Sequence, residues 1–368
     1  MSFIAHLEEI KDSRKDINKD YELVDILFLT MSAVLSGADG WKAIKSFGDA
    51  KLAWLRQFRE FKNGIPTRHS IGRIIRGISA EALMGSFATW INKQRASQGK
   101  EHIAFDGKTL KGSGHNNHVE ALHLMGAMVV ESGLILYQSE CQDKKNEIKT
   151  LRSMLEVIPV KGAVISADAM HCQKDTAEKI IEKGADYVLQ VKNNQRNLRS
   201  EIAAYFHKER RDNPTYFKEY ELKEVDGEHG RIVERQCAAL AVNDWLDGME
   251  AWPSVKSLVE VTRTQFKQDK QVEETSYYIS SMTPDAKFLS QVIRNHWKVE
   301  SHHWVLDVTF NEDESLIYAE DGAKNMALFK RMLINLIKAE PSKDSIAGKK
   351  QRAAWDDGFR KKILFGEG

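Results

Sequence analysis

Three acids in this 368-residue chain stand where a folded protein needs a reason for them. Asp106 ends the apolar run Ile103-Ala104-Phe105, and Asp168 ends a second run, "GAVISA" (162–167). A charge at the end of a buried strand is costly unless something compensates it. The third acid, Glu300, lies in "IRNHWKVESHHWVLDVTF" (293–310). There His296, Glu300, His303 and Asp307 follow at spacings of 4, 3 and 4, which puts them on one face of a helix. Trp297, Trp304, Leu306 and Val308 on the other faces imply a largely buried helix with both tryptophans in the core and His302 exposed. Three carboxylates brought together repel one another, and their pKa values rise unless a cation neutralises them. Magnesium, a hard ion that prefers oxygen ligands, is the natural cation. Two such ions about 3.5–4 Å apart can activate a water and stabilise a leaving alkoxide during in-line attack on phosphorus. Strand-end aspartates also serve as turn residues or helix caps, and spacing alone leaves both readings open.

Other chemistries fit less well. Gly107-Lys108-Thr109 looks like the tail of a phosphate-binding loop, but the glycine required five residues earlier is replaced by His102. A phosphatase with Asp106 as nucleophile calls for a second aspartate two residues on, where Lys108 stands. Cys141, Cys172 and Cys237 lie far apart with no paired spacing, which argues against a zinc site or a disulfide framework and suits a reducing cytoplasm. The most apolar stretch, Ile26 to Leu35, is about half a membrane span and follows Asp20, Glu22 and Asp25, so it reads as a core helix and not as a signal peptide or membrane segment. Net charge is only +1, yet residues 51–95 carry nine Lys and Arg against two Asp and Glu. Such a basic segment is either a solvated helical face or a contact for a polyanion.

The elements that must position the acids follow from the patterning. Residues 1–95 read as helices. Pro66-Thr67 starts a short one and Ser79 caps the next, so Arg68, Arg73 and Arg76 belong either to a helix-turn-helix reader or to a plain helical bundle. Residues 96–101 look like a linker. The order then becomes strand (102–105), strand (121–130), hairpin turn (Glu131-Ser132-Gly133), strand (134–141), helix (146–158), strand (162–167), helix (173–184) and strand (186–192). This is a mixed α/β sheet over 96–206, in which strands one and four can be neighbours, with Asp106 and Asp168 facing across one crevice. Alternating patterns over 207–285 indicate an antiparallel β-rich insertion, helices return over 286–340, and a basic tail occupies 341–368. His229-Gly230-Arg231 reads as a turn within the insertion, and His171 as the polar start of a helix.

The chain resembles the H-repeat-associated transposases, found with Rhs elements and in related bacterial insertion sequences of the DDE class. The resemblance rests on "DILFLTMSAVLSGADGW", "FKNGIP", "IAFDGKTLKGS", "KGAVISADAMHCQKDTAEKIIEKGADYVLQVKNNQ", "HGRIVER", "IRNHWKVESHHWVLDVTFNED", "NMALFKRMLINL" and "RAAWDD", and so spans nearly the full length. It implies a ribonuclease H-like mixed sheet with a β-rich insertion and an N-terminal helical domain, and a catalytic triad of Asp106, Asp168 and Glu300 holding two Mg2+ (or Mn2+) ions. The implied activity is metal-dependent cleavage of DNA and strand transfer at insertion-sequence ends; a catalytically silent or domesticated DNA-binding descendant is the alternative. The implied partners are double-stranded DNA, as terminal inverted repeats and as target, and a second copy of the chain, because two ends must be joined. The implied location is the bacterial cytoplasm, nucleoid-associated on DNA, with no membrane.

The wider group places Tyr, Arg and Lys seven before, four before and seven after the glutamate, where this chain has Ile293, His296 and Asp307. Arg294 and His303 are then candidates to grip DNA, along with Lys108, Lys111, Lys192, Asn194, Gln195 and Arg231 around the catalytic crevice, and Arg68, Arg73 and Arg76 on the N-terminal helices.

Overall fold

The computed structural model describes residues 3–366 apart from 11, 13, 15–18, 96–99, 115–119, 142–145, 229–230, 244–245, 247 and 268–269. Most of the expected linker and the His229-Gly230 turn therefore lie outside the described residues. The chain opens with α1 (Phe3–Leu7), α2 (Leu23–Leu35), α3 (Trp41–Leu55), α4 (Arg68–Arg76) and α5 (Ala80–Gln94). β1 (His102–Thr109), β2 (His123–Val129) and β3 (Leu134–Cys141) follow, then α6 (Glu147–Val157), β4 (Val164–Ala167), α7 (Lys174–Glu182) and β5 (Asp186–Val191). After α8 (Arg196–Asp212) and α9 (Pro214–Glu219) come β6 (Glu221–Glu228), β7 (Arg231–Ala241), β8 (Ser257–Lys267) and β9 (Lys270–Ser280). The remainder is α10 (Ala286–His296), α11 (Lys298–Phe310), α12 (Gly322–Ala339), α13 (Ile346–Trp355) and α14 (Asp357–Phe365).

The strands form one sheet in the order β3-β2-β1-β4-β5-β9-β8-β7-β6. β1, β2 and β3 are antiparallel neighbours, joined at the second turn by Gly133 with φ +65°, a conformation only glycine adopts without cost. β4 and β5 run parallel to β1, each entered through a crossover helix, as parallel pairing requires. This 3-2-1-4-5 half is the ribonuclease H-like arrangement, and the fold is the mixed α/β class expected. The β-rich insertion is no separate sheet: β9 pairs antiparallel with β5 and carries β8, β7 and β6 outward with it. It also begins later than the patterning indicates, because α8 continues to Asp212.

Helices cover both faces. Ile103 and Phe105 of β1 point into the core built with α6 and α7. The alternation of a strand then sends His102, Ala104 and Asp106 to the opposite face, which α10 and α11 cover. The N-terminal helices do not close a core of their own. Leu27 and Phe28 of α2 and Ile75 of α4 share one apolar cluster with Phe329 and Leu333 of α12 and with Ile363 and Leu364 of α14. Asn325 of α12 donates its amide to the carbonyls of Ile75 and Ile78 at 2.9 Å each, satisfying the end of α4. Asn335 exchanges two hydrogen bonds with the backbone of Ile135, fixing α12 to β3. The basic tail is likewise packed: α13 and α14 lie against the N-terminal helices, and fully buried Arg360 stacks 4.1 Å over Trp54. No described helix is long and apolar enough to cross a membrane, and Ile26 to Leu35 is fully buried in α2.

The far end of β1 is held by the loop after α11. A Cβ on Gly112 would stand 2.5 Å from the carbonyl oxygen of Asp313 and 2.6 Å from that of Ser315. Gly112→Ala is therefore expected to cost about 1–3 kcal/mol through overpacking, read as a lower urea midpoint with an unchanged slope.

Candidate active site

The site follows from a difference in strand length. The pairing of β1 with β4 ends at Phe105 opposite Ala167, because β4 stops there while β1 continues to Thr109 beside β2. Asp106 and Asp168 are each one residue beyond that last rung, on adjacent strands about 4.8 Å apart. Asp106 thus lies inside β1, not at its end. It has a neighbour strand on only one side, and the other side is an open crevice. Asp168 leads into a short 3-10 turn, Ala169–His171.

The polar stripe picked out by spacing faces this crevice, although the helix breaks at Trp297 and so divides between α10 and α11. Nδ1 of His303 is 3.5 Å from Oδ2 of Asp106. Nε2 of His296 is 3.9 Å from Oδ1 of Asp168. Asp307 accepts a hydrogen bond from Lys108 Nζ at 2.7 Å. Glu300, in the first turn of α11 and exposed to solvent, acts electrostatically on Asp106. Behind His296 runs a buried relay: Ser166 Oγ is 2.8 Å from His296 Nδ1 and 2.6 Å from His102 Nε2. With His102 donating to Ser166 and Ser166 donating to Nδ1, the Nε2 proton of His296 faces Asp168.

Burial first, and then the charges of Asp168, Glu147 and Glu300, push the Asp106 carboxyl up to about 7. His303 gives no positive charge in return, since burial and the nearby Arg331 and Lys108 drive its imidazole down to about 3. His296 is likewise lowered by burial, against the pull of Asp168. Among the described residues, no lysine or arginine forms an ion pair with Asp106, Asp168 or Glu300. Mutually repelling, uncompensated carboxylates are the donor chemistry of a hard divalent ion, and in that sense the residues fit one. No three described His, Cys, Asp or Glu side chains are already drawn together as a finished metal cage.

The other candidates are placed as follows. Lys108 is buried against Asp307, Asp313 (3.1 Å) and Glu312 (4.0 Å), so it is not the surface phosphate contact expected. It joins β1 to α11. Lys111 is exposed and paired to Asp313 at 3.0 Å. Asn194 donates its amide to the Ala169 carbonyl at 2.7 Å and Gln195 donates to that of Cys172 at 3.0 Å, so both side chains brace the turn behind Asp168. His303 touches Asp106. Arg231 begins β7, but its side chain lies outside the described residues. Lys192 and Arg294 line a cavity of about 490 Å³ that also includes Arg235, Arg263, Trp297 and Glu300. Arg294 and Arg235 share Asp226 there, the first at 2.9 Å. In a separate groove, Arg68, Arg73 and Arg76 stand with Lys42, His69 and Trp41. Arg73 and Arg76 ride on the helix before the Gly77 turn and not on the one after it.

Three expectations are reversed. Trp304 is 61% exposed and Trp297 41%, so neither is core, and α11 shows solvent a partly apolar face. His302, expected outside, is buried, and burial holds it well below the usual imidazole range. His171 is fully buried beside Glu147, not a polar surface group. The three cysteines are free and buried.

The strand order and the acids at its crevice define a protein of the ribonuclease H-like class. The chain belongs to the transposase DDE domain family, whose profile matches residues 97–336, and a DDE_Tnp_1-associated profile matches residues 4–91. It is 35% identical to the H repeat-associated putative transposase YhhI of Escherichia coli K12, over 99% of this chain and 98% of that one. It is also 35% identical to the putative transposase YncI of Escherichia coli O157:H7, over 99% and 94%. A solved piggyBac transposase synaptic complex with hairpin DNA covers 98% of this chain and 76% of its own at 10% identity, with a TM-score of 0.45.

Proposed function

We propose that the chain is a divalent-metal-dependent DNA transposase whose Asp106, Asp168 and Glu300 hold two Mg2+ or Mn2+ ions. The observation that carries the reading is geometric: Asp106 and Asp168 stand side by side one residue past the last rung of the β1–β4 pairing, and among the described residues neither is ion-paired to a lysine or arginine, which agrees with the Asp106 carboxyl being pushed up to about 7 by burial and neighbouring acids. Bound there, the ions supply an activated water and charge stabilisation for the leaving oxygen. The protein's residues do the rest. Neutral His303 and His296 orient the two aspartates without competing as cations. In this reading the α11 dock on β1 brings Glu300 toward them. Lys192, Arg235, Arg263 and Arg294 offer phosphate contacts along the cavity beside Glu300, and such contacts fix register without reading sequence. The groove with Arg68, Arg73 and Arg76 is the proposed grip on the terminal inverted repeats. Water attacks phosphorus at the element's end and frees a 3′ hydroxyl; that hydroxyl then attacks a target phosphodiester and displaces a new 3′ oxygen. Two ends joined in one event call for two copies of the chain on DNA, acting on the bacterial nucleoid in the cytoplasm.

The test is cleavage, in Mg2+, of DNA carrying the flanking inverted repeats. Asp168→Ala should lose cutting by roughly 10³-fold or more, since metal-supplied stabilisation is worth several kcal/mol and each 1.36 kcal/mol is a factor of ten. Equal cutting by both proteins would reject the mechanism, and no cutting by either would favour the silent DNA-binding descendant.

A further inference from the structure

Gly107, immediately after Asp106, exposes what stands behind the site. A Cβ built there would lie 2.9 Å from Oε1 of Glu147 and 2.9 Å from Nε2 of His123. Alternation along β1 turns position 107 to the α6 face, away from the Asp106 carboxyl. On that face Glu147, in the first turn of α6, is buried and accepts a hydrogen bond from His123 Nε2 at 2.6 Å. His123 in turn faces the Thr109 hydroxyl through Nδ1 at 2.8 Å. The second carboxylate oxygen, Oε2, is 3.5 Å from Nε2 of His171, a fully buried ring in the turn that begins at Asp168.

We propose that Glu147 is a positioning residue that ties the strand carrying Asp106 to the turn carrying Asp168, through His123 on one side and His171 on the other, and so sets the spacing of the two aspartates for a divalent ion. The proposal rests on the metal-dependent reading of Asp106 and Asp168 given above. Three features support it. From behind the sheet the brace reaches Gly107, next to Asp106, and His171, whose backbone N–H donates to the Asp168 carbonyl at 2.9 Å. Glycine at 107 is what lets the carboxylate approach β1 so closely. The neighbouring rings also favour the charged acid: burial works against Glu147, and His171 at 3.5 Å and the hydrogen bond from His123 outweigh it, leaving the group below the ordinary carboxylate range. His123 is thereby engaged through both ring nitrogens, while the His171 ring approaches the carboxylate at 3.5 Å.

The test uses the full-length protein and three measurements: Mn2+ affinity by calorimetry, the Mg2+ concentration for half-maximal DNA cutting, and thermal melting as a control of folding. Groups that orient metal ligands are worth about 10–100-fold in metal affinity. Glu147→Ala should weaken Mn2+ binding by that factor and raise the Mg2+ requirement in step, while the cutting rate at saturating metal recovers most of its value. Glu147→Gln keeps the shape and one accepting oxygen but loses the charge, so its loss should be smaller, about threefold to tenfold. The contrast separates positioning from plain electrostatics, because charge alone predicts equal losses in the two variants. Equal losses, or wild-type Mn2+ affinity in Glu147→Ala, overturn the proposal. Should Glu147→Ala fail to fold, Glu147→Ser takes its place in the comparison with Glu147→Gln, with the same outcomes supporting or overturning the proposal. A wild-type chain that neither binds Mn2+ nor cuts DNA removes the underlying reading and the brace with it; a wild type that does both, beside unaffected Glu147 variants, removes the brace alone.

Discussion

Asp106→Asn should produce a chain that no longer cuts DNA and yet melts at a higher temperature than wild type at pH 8 without divalent ions. The Asp106 carboxyl stands at about 7 against an ordinary 3.8, chiefly because it is buried and secondarily because Asp168, Glu147 and Glu300 repel its charge. A raised acid holds its proton more tightly in the folded state than in the unfolded one. Between about pH 4 and pH 7 the folded state therefore binds more protons, and stability falls as pH rises through that window. The penalty is absent below the unfolded value and complete above the folded one. At 1.36 kcal/mol per pH unit it amounts to roughly 4 kcal/mol at pH 8. Asparagine, which cannot ionise, escapes it. Scanning calorimetry in EDTA should show the variant ahead by several degrees at pH 8, with the gap closing near pH 4. Mg2+ should raise the wild-type melting temperature at pH 8 and leave the variant's nearly unchanged. An asparagine variant that melts at or below wild type at pH 8 would mean that the acids are compensated within the protein, and the argument for a bound cation would lose its main support.

How far the sequence carried this picture depends on whether a residue's neighbours lie along the chain or across it. The alternation and turns around Glu131-Ser132-Gly133 are local, and they place the second and third strands to within two residues, whereas β1 runs four residues past its expected end. The stripe His296, Glu300, His303, Asp307 is legible because helical spacing is local too, and its two histidines meet the two aspartates while Asp307 meets Lys108. Burial is a tertiary property, and it was misread in both directions. Trp297 and Trp304 are apolar by type but stand on the outer side of α11, whereas Lys108 and His171 are polar by type but are buried among partners from distant segments. Asn194 and Gln195 look like strand-grasping amides because they follow a strand; their actual partners are carbonyls of the Asp168 turn more than twenty residues away. Glu147 gave the weakest signal. An acid in the first turn of a helix is ordinary, being favoured there by the helix dipole, and only the packing of α6 behind β1 makes it a neighbour of the site. The usable hint was Gly107 itself: a glycine inside a strand beside a chemical residue marks a close approach from the other face. The insertion and tail were recognised by pattern, but not their attachment. Neither the pairing of β9 with β5 nor the shared core of α2, α12 and α14 is encoded in any short stretch.

Lys108→Met should be the most damaging single change outside the three acids, for both stability and cutting. The lysine is buried, and its ammonium lies 2.7 Å from Asp307, 3.1 Å from Asp313 and 4.0 Å from Glu312. Methionine fills the space but leaves the acids facing a thioether. Glu312 retains Arg331 at 2.6 Å and Asp313 retains Lys111 at 3.0 Å, so Asp307 bears most of the loss. Removing one member of a buried ion cluster typically costs 3–5 kcal/mol, and partial exposure of Asp307 puts the expected value near the lower end, about 3 kcal/mol by urea unfolding. The effect on cutting is separable. Lys108 is two residues beyond Asp106 on β1, and Asp307 lies two helical turns beyond Glu300 on α11, so this pair and the His303 contact are what register the glutamate against the aspartates. A shift of about 1 Å in that register would lower the cutting rate on the order of 10²-fold. The rate should be measured at a temperature where the variant remains folded. Adding Asp307→Leu should return part of the stability, since a packed apolar pair tolerates the interior that a lone carboxylate does not. It should not return the rate, because an apolar contact lacks the directional hold on α11 that the ion pair supplies. A variant that is destabilised but cuts at the wild-type rate while folded would show that Glu300 finds its place without Lys108, and the docking role assigned to the pair would have to be given to His303 alone.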